Sequence, residues 1–163
     1  MEMEDETITR RAMLGSLTNA LASACILGAL GPGVARAAAP PTLTVYKDPS
    51  CGCCTKWVEH LRAAGLRPVV HDRQDMDALK DSLGVPVSLR ACHTAVAGRY
   101  VVEGHVPAAD IKRLVSKTPA GVLGIAVPDM PAGSPGMEAP GRRDRYDVIA
   151  FSANGKTSVF ARH

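Results

Sequence analysis

One stretch of the chain decides its fold, TLTVYKDPSCGCCTKWVEHLRAAG, which spans residues 42–65. Its first part, residues 42–46, alternates and is rich in β-branched side chains, which is typical of a strand. After the turn, apolar residues recur with helical spacing, and Gly65 ends the predicted helix. Asp48 and Ser50 are candidate N-caps in the turn. Three cysteines therefore lie where a predicted strand gives way to a predicted helix.

The cysteine turn, residues 51–54, combines two chemistries. Unpaired N–H groups and the helix dipole stabilise thiolates at a helix N-terminus, and a thiolate is both a metal ligand and a nucleophile. Gly52 lets the backbone turn tightly enough for Cys51, Cys53 and Cys54 to converge on one metal centre. Cys51 and Cys54 alone have the C-x-x-C spacing of a redox pair.

Soft thiolate ligands favour Cu(I), Zn(II) or an iron–sulfur cluster. Structural zinc sites usually combine two separated ligand pairs, and the residues Cys92 and His93 could supply the second pair. An iron–sulfur cluster usually needs four cysteines, which the chain also has. Crowded thiolates can bridge copper ions, and copper suits an exported protein, so a multinuclear Cu(I) centre is favoured.

Residues 1–37 are predicted to be an export signal that is cleaved after Ala37. A pair of arginines at 10–11 precedes an uncharged stretch, residues 12–30, and small residues lead up to the cleavage site. The arginine pair favours the twin-arginine route over the general secretory route, and lipidation at Cys25 is a third option. The stretch is too polar for a comfortable membrane span. The mature protein is therefore expected in the periplasm, without stable membrane insertion.

The composition limits the function of the chain. It has 163 residues with a net charge of +3 and no basic stripe with interleaved aromatics, which argues against nucleic-acid binding. Loss of Cys25 with the signal leaves four of the five cysteines. Two structural disulfides are disfavoured, since three of the four cysteines are crowded into one turn.

Residues 38–163 are predicted to form a single domain. Pro68 argues for an edge position, or for the start, of the second strand. The pattern predicts strands at 42–46 and 66–71, helices at 53–65 and 76–83, a hairpin at 91–103 and a helix at 108–117. This order is that of an α/β, thioredoxin-like fold with a βαβα-ββα core. Residues 118–127 are expected to be irregular, and a Pro/Gly-rich loop at 128–137 precedes a last hairpin, 146–161, around an Asn-Gly turn.

Four further motifs follow the cysteine turn. The tryptophan behind the turn, Trp57, is predicted to lie in the core. The four motifs are Cys92-His93-Thr94-Ala95, Glu103-Gly104-His105-Val106-Pro107, Val127-Pro128-Asp129-Met130-Pro131 and Gly133-Ser134-Pro135-Gly136-Met137-Glu138. In this order, over residues 42–150, they resemble the CopG-type periplasmic copper-resistance family. The resemblance implies a thioredoxin-like fold, a role in copper handling and a copper cluster held by the turn and a fourth cysteine, Cys92. Asp129 stands where the resemblance leads us to expect a small residue, often glycine.

The predicted metal ligands are therefore Cys51, Cys53, Cys54 and Cys92. Four further residues are candidate ligands, each with an ordinary structural alternative. On a regular strand His93 faces away from Cys92, which disfavours one metal bound by both. His105 lies at a helix entry and can serve as a hydrogen-bonding group. Met130 and Met137 carry thioether sulfurs, but methionines in such loops more often fill apolar gaps.

The leading hypothesis is a periplasmic protein that binds copper ions as Cu(I), with a role in copper resistance and in copper redox or transfer. Its partners would be other periplasmic copper-handling proteins. The alternative is a thiol–disulfide oxidoreductase that uses Cys51 and Cys54, although Cys53 would let its disulfide scramble. A structural zinc domain, which a chelator would unfold, is a third option. Whether the protein is an enzyme stays open.

Overall fold

A computed structural model describes residues 41–163. The predicted export signal, residues 1–37, lies outside the described residues. Within the described part, no helix is both long enough and apolar enough to cross a membrane.

The structure is mixed α/β, with helices and strands in the predicted order as far as the third helix. The helices are α1 (Gly52–Ala63), α2 (Met76–Ser82) and α3 (Ala108–Lys117), with a short 3₁₀ turn at Val87–Leu89. The strands are β1 (Thr42–Lys47), β2 (Arg67–Asp72), β3 (His93–Ala97), β4 (Tyr100–Gly104), β5 (Gly124–Val127), β6 (Asp147–Phe151) and β7 (Thr157–Arg162).

All seven of these strands form one sheet in the order β2-β1-β3-β4-β5-β6-β7. Strand β1 pairs in parallel with β2 and antiparallel with β3, and β3 and β4 form the predicted hairpin. Strand β2 is at the edge, as Pro68 predicted, because proline cannot donate a backbone hydrogen bond to a second neighbour. The last two strands form the predicted hairpin around the Asn-Gly turn.

Strand β5 corrects the prediction that residues 118–127 are irregular. It is fully buried, pairs in parallel with β4 and joins the last hairpin to the rest of the sheet. Its first residue is Gly124, where a Cβ atom would collide with the Val101 carbonyl and the Phe151 ring. Gly124 is therefore required for close packing inside the sheet.

The core lies on both faces of the sheet. The larger cluster joins alternate strand residues, such as Val45 and Val102, to the apolar faces of α1 and α3. The smaller cluster, on the opposite face, includes Val101 and Ala126 and is covered by residues that follow α2. Trp57 is fully buried in the larger cluster, as predicted, and fixes the first turns of α1 beneath the cysteines.

Candidate metal centre

The cysteine turn caps helix α1 with a sulfur atom. Cys51 is the N-cap residue, and its Sγ accepts a hydrogen bond from the Cys54 backbone N–H at 3.3 Å. The prediction that Asp48 or Ser50 is the N-cap is wrong. The Asp48 carboxylate instead accepts the Ser50 backbone N–H at 2.8 Å, which stabilises the turn before the helix. The first cysteine is thus held directly at the helix N-terminus.

The structure brings four sulfur atoms together from two distant segments. Cys51 and Cys54 form a disulfide, and Cys53 and Cys92 are the free cysteines of the described residues. The Cys53 Sγ lies 3.5 Å from the Cys51 Sγ and 4.0 Å from the Cys92 Sγ, although Cys53 and Cys92 are 39 residues apart. All four sulfurs lie within 4.8 Å of one another. The redox pair of the alternative hypothesis is therefore joined here, in its oxidised form.

The Cys92 thiol faces the turn from the segment that leads into β3. It is partly buried, and burial, reinforced by the neighbouring Cys53, raises the pKa of the Cys92 thiol to about 12. At neutral pH, and without a cation beside it, this thiol therefore keeps its proton. A bound metal ion would displace that proton, since the thiolate is the form that binds metal.

Two buried histidines adjoin the same sulfur. The Cys92 Sγ lies 3.3 Å from Nδ1 of His93 and 3.2 Å from Nε2 of His105. The expectation that His93 faces away from Cys92 is wrong, because β3 begins only at His93 and the cysteine precedes the regular strand. The ligand atoms of these three residues lie within 4.8 Å of one another, so they form a second potential donor set that shares Cys92.

The two imidazoles are held in different ways. His105 Nδ1 lies 2.8 Å from the Pro135 carbonyl, and its N–H donates there, which leaves Nε2 as an acceptor facing Cys92. The His93 ring packs against Trp57, with centroids 4.2 Å apart, and its Nε2 has no hydrogen-bond partner within the described chain. Burial lowers the pKa of both imidazoles, that of His93 well below its ordinary value. Both histidines are therefore neutral at neutral pH, which is the form that binds metals.

The Pro/Gly-rich loop covers the cysteine turn. A Cβ atom on Gly136 would come within 2.7 Å of the Cys53 carbonyl oxygen and 2.8 Å of the Trp57 backbone nitrogen. Only glycine permits this approach without displacement of one backbone. The loop therefore packs on the first turn of α1 and also supplies the carbonyl that orients His105.

Comparisons with known proteins identify relatives of this chain. A family profile described as a protein of unknown function, DUF411, matches residues 89–137. Two solved structures, form 1 and form 2 of copper resistance protein CopG, are each 47% identical to this chain, with a TM-score of 0.72. Each alignment covers 76% of this chain and 98% of the CopG chain. The chain belongs to the CopG copper resistance protein family. Comparison with curated protein sequences gave no match.

In this CopG-family chain, the two candidate methionines lie beside the sulfur cluster in an open cleft of about 480 Å³. Met130, Met137 and Cys53 all line the cleft. Met130 is 40% exposed, and both it and Asp129 have positive φ angles, 47° and 62°. Glycine adopts this conformation readily, which is consistent with the expectation of a small residue, often glycine, where Asp129 stands. Both methionines therefore line the same open cleft as Cys53.

Sequence reasoning missed a buried ion pair near Cys92. Lys80 in α2 and Glu103 in β4 are almost fully buried, and Nζ lies 2.5 Å from Oε1. Burial raises the pKa of the Glu103 carboxyl, and the Lys80 ammonium opposes that shift. The available signal was a glutamate flanked by apolar residues in a strand, together with a lysine on the apolar side of a short helix.

Proposed function

We propose that this protein takes up Cu(I) and holds it in a cluster of cysteine thiolates, and that it thereby contributes to copper resistance. The observation that supports this is the convergence of four sulfurs within 4.8 Å from two segments of the chain. Thiolate sulfur is a soft ligand that selects Cu(I) over hard cations. The copper resistance proteins that the chain resembles support copper as the cargo.

The proposed ligands are the four cysteines, Cys51, Cys53, Cys54 and Cys92. Reduction of the Cys51–Cys54 disulfide by two electrons would supply two of the thiols. Each thiol would lose its proton to solvent when it binds copper, including the Cys92 thiol with its raised pKa. Because the sulfurs are closer together than separate mononuclear sites require, bridging thiolates and several copper ions suit the cluster.

Neighbouring residues extend this donor set. His93 and His105 offer neutral imidazole nitrogens beside Cys92, and we include them as candidate additional ligands. Met130 and Met137 offer thioethers in the cleft that reaches Cys53, and we include them on the same basis. Imidazole also suits Cu(II), so a mixed sulfur and nitrogen set would tolerate a change in the oxidation state of the copper.

The frame and the location are part of the proposal. We infer a thioredoxin-like frame, because β1, β2, β3 and β4 are ordered β2-β1-β3-β4 with α1 placed directly after β1. We also propose that residues 1–37 direct export and that the mature protein, residues 38–163, works in the periplasm with other copper-handling proteins. Fractionation and N-terminal sequencing of the exported protein would test the cleavage after Ala37.

Anaerobic titration with Cu(I) tests the central proposal. Reduced protein should bind more than one equivalent of copper and develop thiolate-to-copper charge-transfer absorption. Cys53→Ser and Cys92→Ser should each lower the bound copper, while Thr157→Ser, on the far edge strand, serves as a matched surface control. Binding of one equivalent or less that Cys51→Ser leaves unchanged would refute the proposal.

A second function is favoured by one observation, the disulfide between Cys51 and Cys54 at the start of α1. In a thiol–disulfide oxidoreductase, the Cys51 thiolate would attack a substrate disulfide, and Cys54 would resolve the mixed disulfide. The substrate is then reduced, and an external dithiol must reduce the protein again. Metal-free protein that reduces a disulfide substrate, at a rate that Cys53→Ala leaves intact, would favour this function over copper binding.

A further inference from the structure

Lys80 and Glu103 form a charged pair in an unusual place. Their side chains are only 3% and 0% exposed. A buried ion pair is often no more stabilising than apolar residues of similar volume, because both charges must leave water. Stability alone therefore does not account for it, so its other contacts are informative.

The Glu103 carboxylate binds the chain on both sides of the Cys92-His93 dipeptide. Its Oε1 accepts the backbone N–H of Ala91 at 2.7 Å, directly before Cys92. Its Oε2 accepts the hydroxyl of Thr94 at 2.6 Å, directly after His93. One side chain thus clamps the two ends of the segment that carries the fourth sulfur.

One end of the clamp lies beyond the strand pairing of the sheet. Thr94 lies opposite Glu103 in the register of β3 and β4, whereas Ala91 precedes β3. The carboxylate therefore supplies an acceptor beyond the end of the strand pairing. Gly104 permits this, since a Cβ atom there would come within 2.7 Å of the Ala91 methyl group.

Lys80 fixes the carboxylate in turn. Its Nζ donates to Glu103 Oε1 at 2.5 Å and to the Thr94 hydroxyl at 2.8 Å. Lys80, Thr94 and Glu103 therefore form a closed hydrogen-bond network. A carboxylate held by three different groups has little freedom to rotate. The segment that this carboxylate binds carries the Cys92 sulfur, which lies 4.0 Å from the Cys53 sulfur.

We propose that Glu103, held by Lys80, is a positioning residue that sets the Cys92 sulfur against the cysteine turn. The proposal deepens the copper-binding function, and the part of its test that measures Cu(I) affinity rests on that function. Groups of this kind, one shell outside the ligands, typically change metal affinity by about 10–100-fold when removed. The proposal also predicts how closely the Cys53 and Cys92 thiols are held together in the metal-free protein, which does not depend on copper binding.

The test uses two double variants of the full chain that leave no unpaired charge. Lys80→Met with Glu103→Leu removes the clamp, and we expect Cu(I) affinity to fall by about 10–100-fold. Lys80→Met with Glu103→Gln keeps an amide that can accept from Ala91 and donate to Thr94. This conservative pair should rescue most of the lost affinity, which a simple need for a filled core would not predict. Circular dichroism and urea unfolding establish that each variant is folded.

The metal-free arm measures how readily the two free thiols meet. In a background of Cys25→Ser, Cys51→Ser and Cys54→Ser, glutathione disulfide oxidises Cys53 and Cys92 to one disulfide and releases two glutathione thiols. The equilibrium constant for this reaction should fall about tenfold or more in the leucine variant and recover in the glutamine variant. Thr94→Val removes the two hydrogen bonds of the Thr94 hydroxyl, to Glu103 and from Lys80, but no charge and not the bond from Ala91. It should therefore shift the constant less, in the same direction.

The two arms separate the two proposals. If the unmodified protein fails to bind Cu(I), the copper function is refuted, and the glutathione equilibrium still decides on positioning. Equal equilibrium constants in the leucine, glutamine and unmodified proteins would overturn the positioning role of Glu103.

Discussion

Replacement of Gly136 by alanine should loosen the loop that covers the cysteine turn. The residue has a φ angle of 84°, in the left-handed region that glycine adopts freely. An added methyl group would lie 2.7 Å from the Cys53 carbonyl oxygen and 2.8 Å from the Trp57 backbone nitrogen. Both of these atoms belong to the backbone of α1, so a side-chain rotation cannot relieve the collision.

The magnitude follows from two separate terms. A left-handed backbone costs a residue with a Cβ atom about 1–2 kcal/mol. A methyl group forced into a packed site costs about 1–3 kcal/mol more. Gly136→Ala should therefore lower the free energy of unfolding by about 2–5 kcal/mol. Gly141 is a matched control, because its φ angle is 70° and no atom lies within 4 Å of its added methyl group. Gly141→Ala should show only the first term, about 1–2 kcal/mol.

Urea unfolding of the oxidised, metal-free protein measures the difference between the two variants. Hydrogen exchange adds a local measure, since the Met137 N–H donates to the Ser134 carbonyl at 2.8 Å within the loop and should exchange faster when the loop opens. The reasoning is refuted if Gly136→Ala is no more destabilising than Gly141→Ala and leaves the exchange of this amide unchanged.

Three further outcomes are expected. Apparent Cu(I) affinity should rise with pH by about tenfold per unit for each thiol proton displaced, because Cys92 stays protonated below a pKa of about 12; competition titrations at pH 6, 7 and 8 that show no pH dependence would contradict this. Reduction of the Cys51–Cys54 disulfide by a phosphine should lower the free energy of unfolding, measured in a urea series, by only about 2 kcal/mol, since the disulfide closes a very short loop. If the phosphine unfolds the protein outright, the disulfide is structural and this expectation is contradicted. Trp57→Phe should lower the free energy of unfolding by about 1–3 kcal/mol, because it leaves the buried Val106 carbonyl without its 2.9 Å donor; an unchanged thermal midpoint would contradict this.

Local patterns in the sequence were sufficient for most of the fold. Period-two and helical spacing predicted the first four elements, the hairpin and α3, and the Asn-Gly turn predicted the last hairpin. Strand β5 was missed because it has only four residues and lies in a glycine-rich apolar stretch without a clear period. Its existence depends on β4 and β6 on either side, which no local pattern reports.

The candidate site divides in the same way. The cysteine turn could be read from spacing alone, because its sulfurs lie within one turn of chain at a helix start. The expectation for His93 failed, since the alternation rule applies only inside a strand and Cys92 lies just before one. The Lys80–Glu103 pair was not predicted, because a buried charge can be expected only when its partner is known, and here the partner lies 23 residues away in the sequence.

By itself, the sequence determined the turn that holds three cysteines, the helix behind it and the soft-metal chemistry that they favour. These depend on neighbours within a few residues, whose geometry the backbone period dictates. The meeting of Cys92 with the turn was expected only from the family resemblance, and the tertiary structure decided that Cys92 faces Cys53, that two histidines join it and that a glycine loop covers the turn. Those contacts depend on the packing of the whole sheet, where distant segments meet because their apolar faces are buried together.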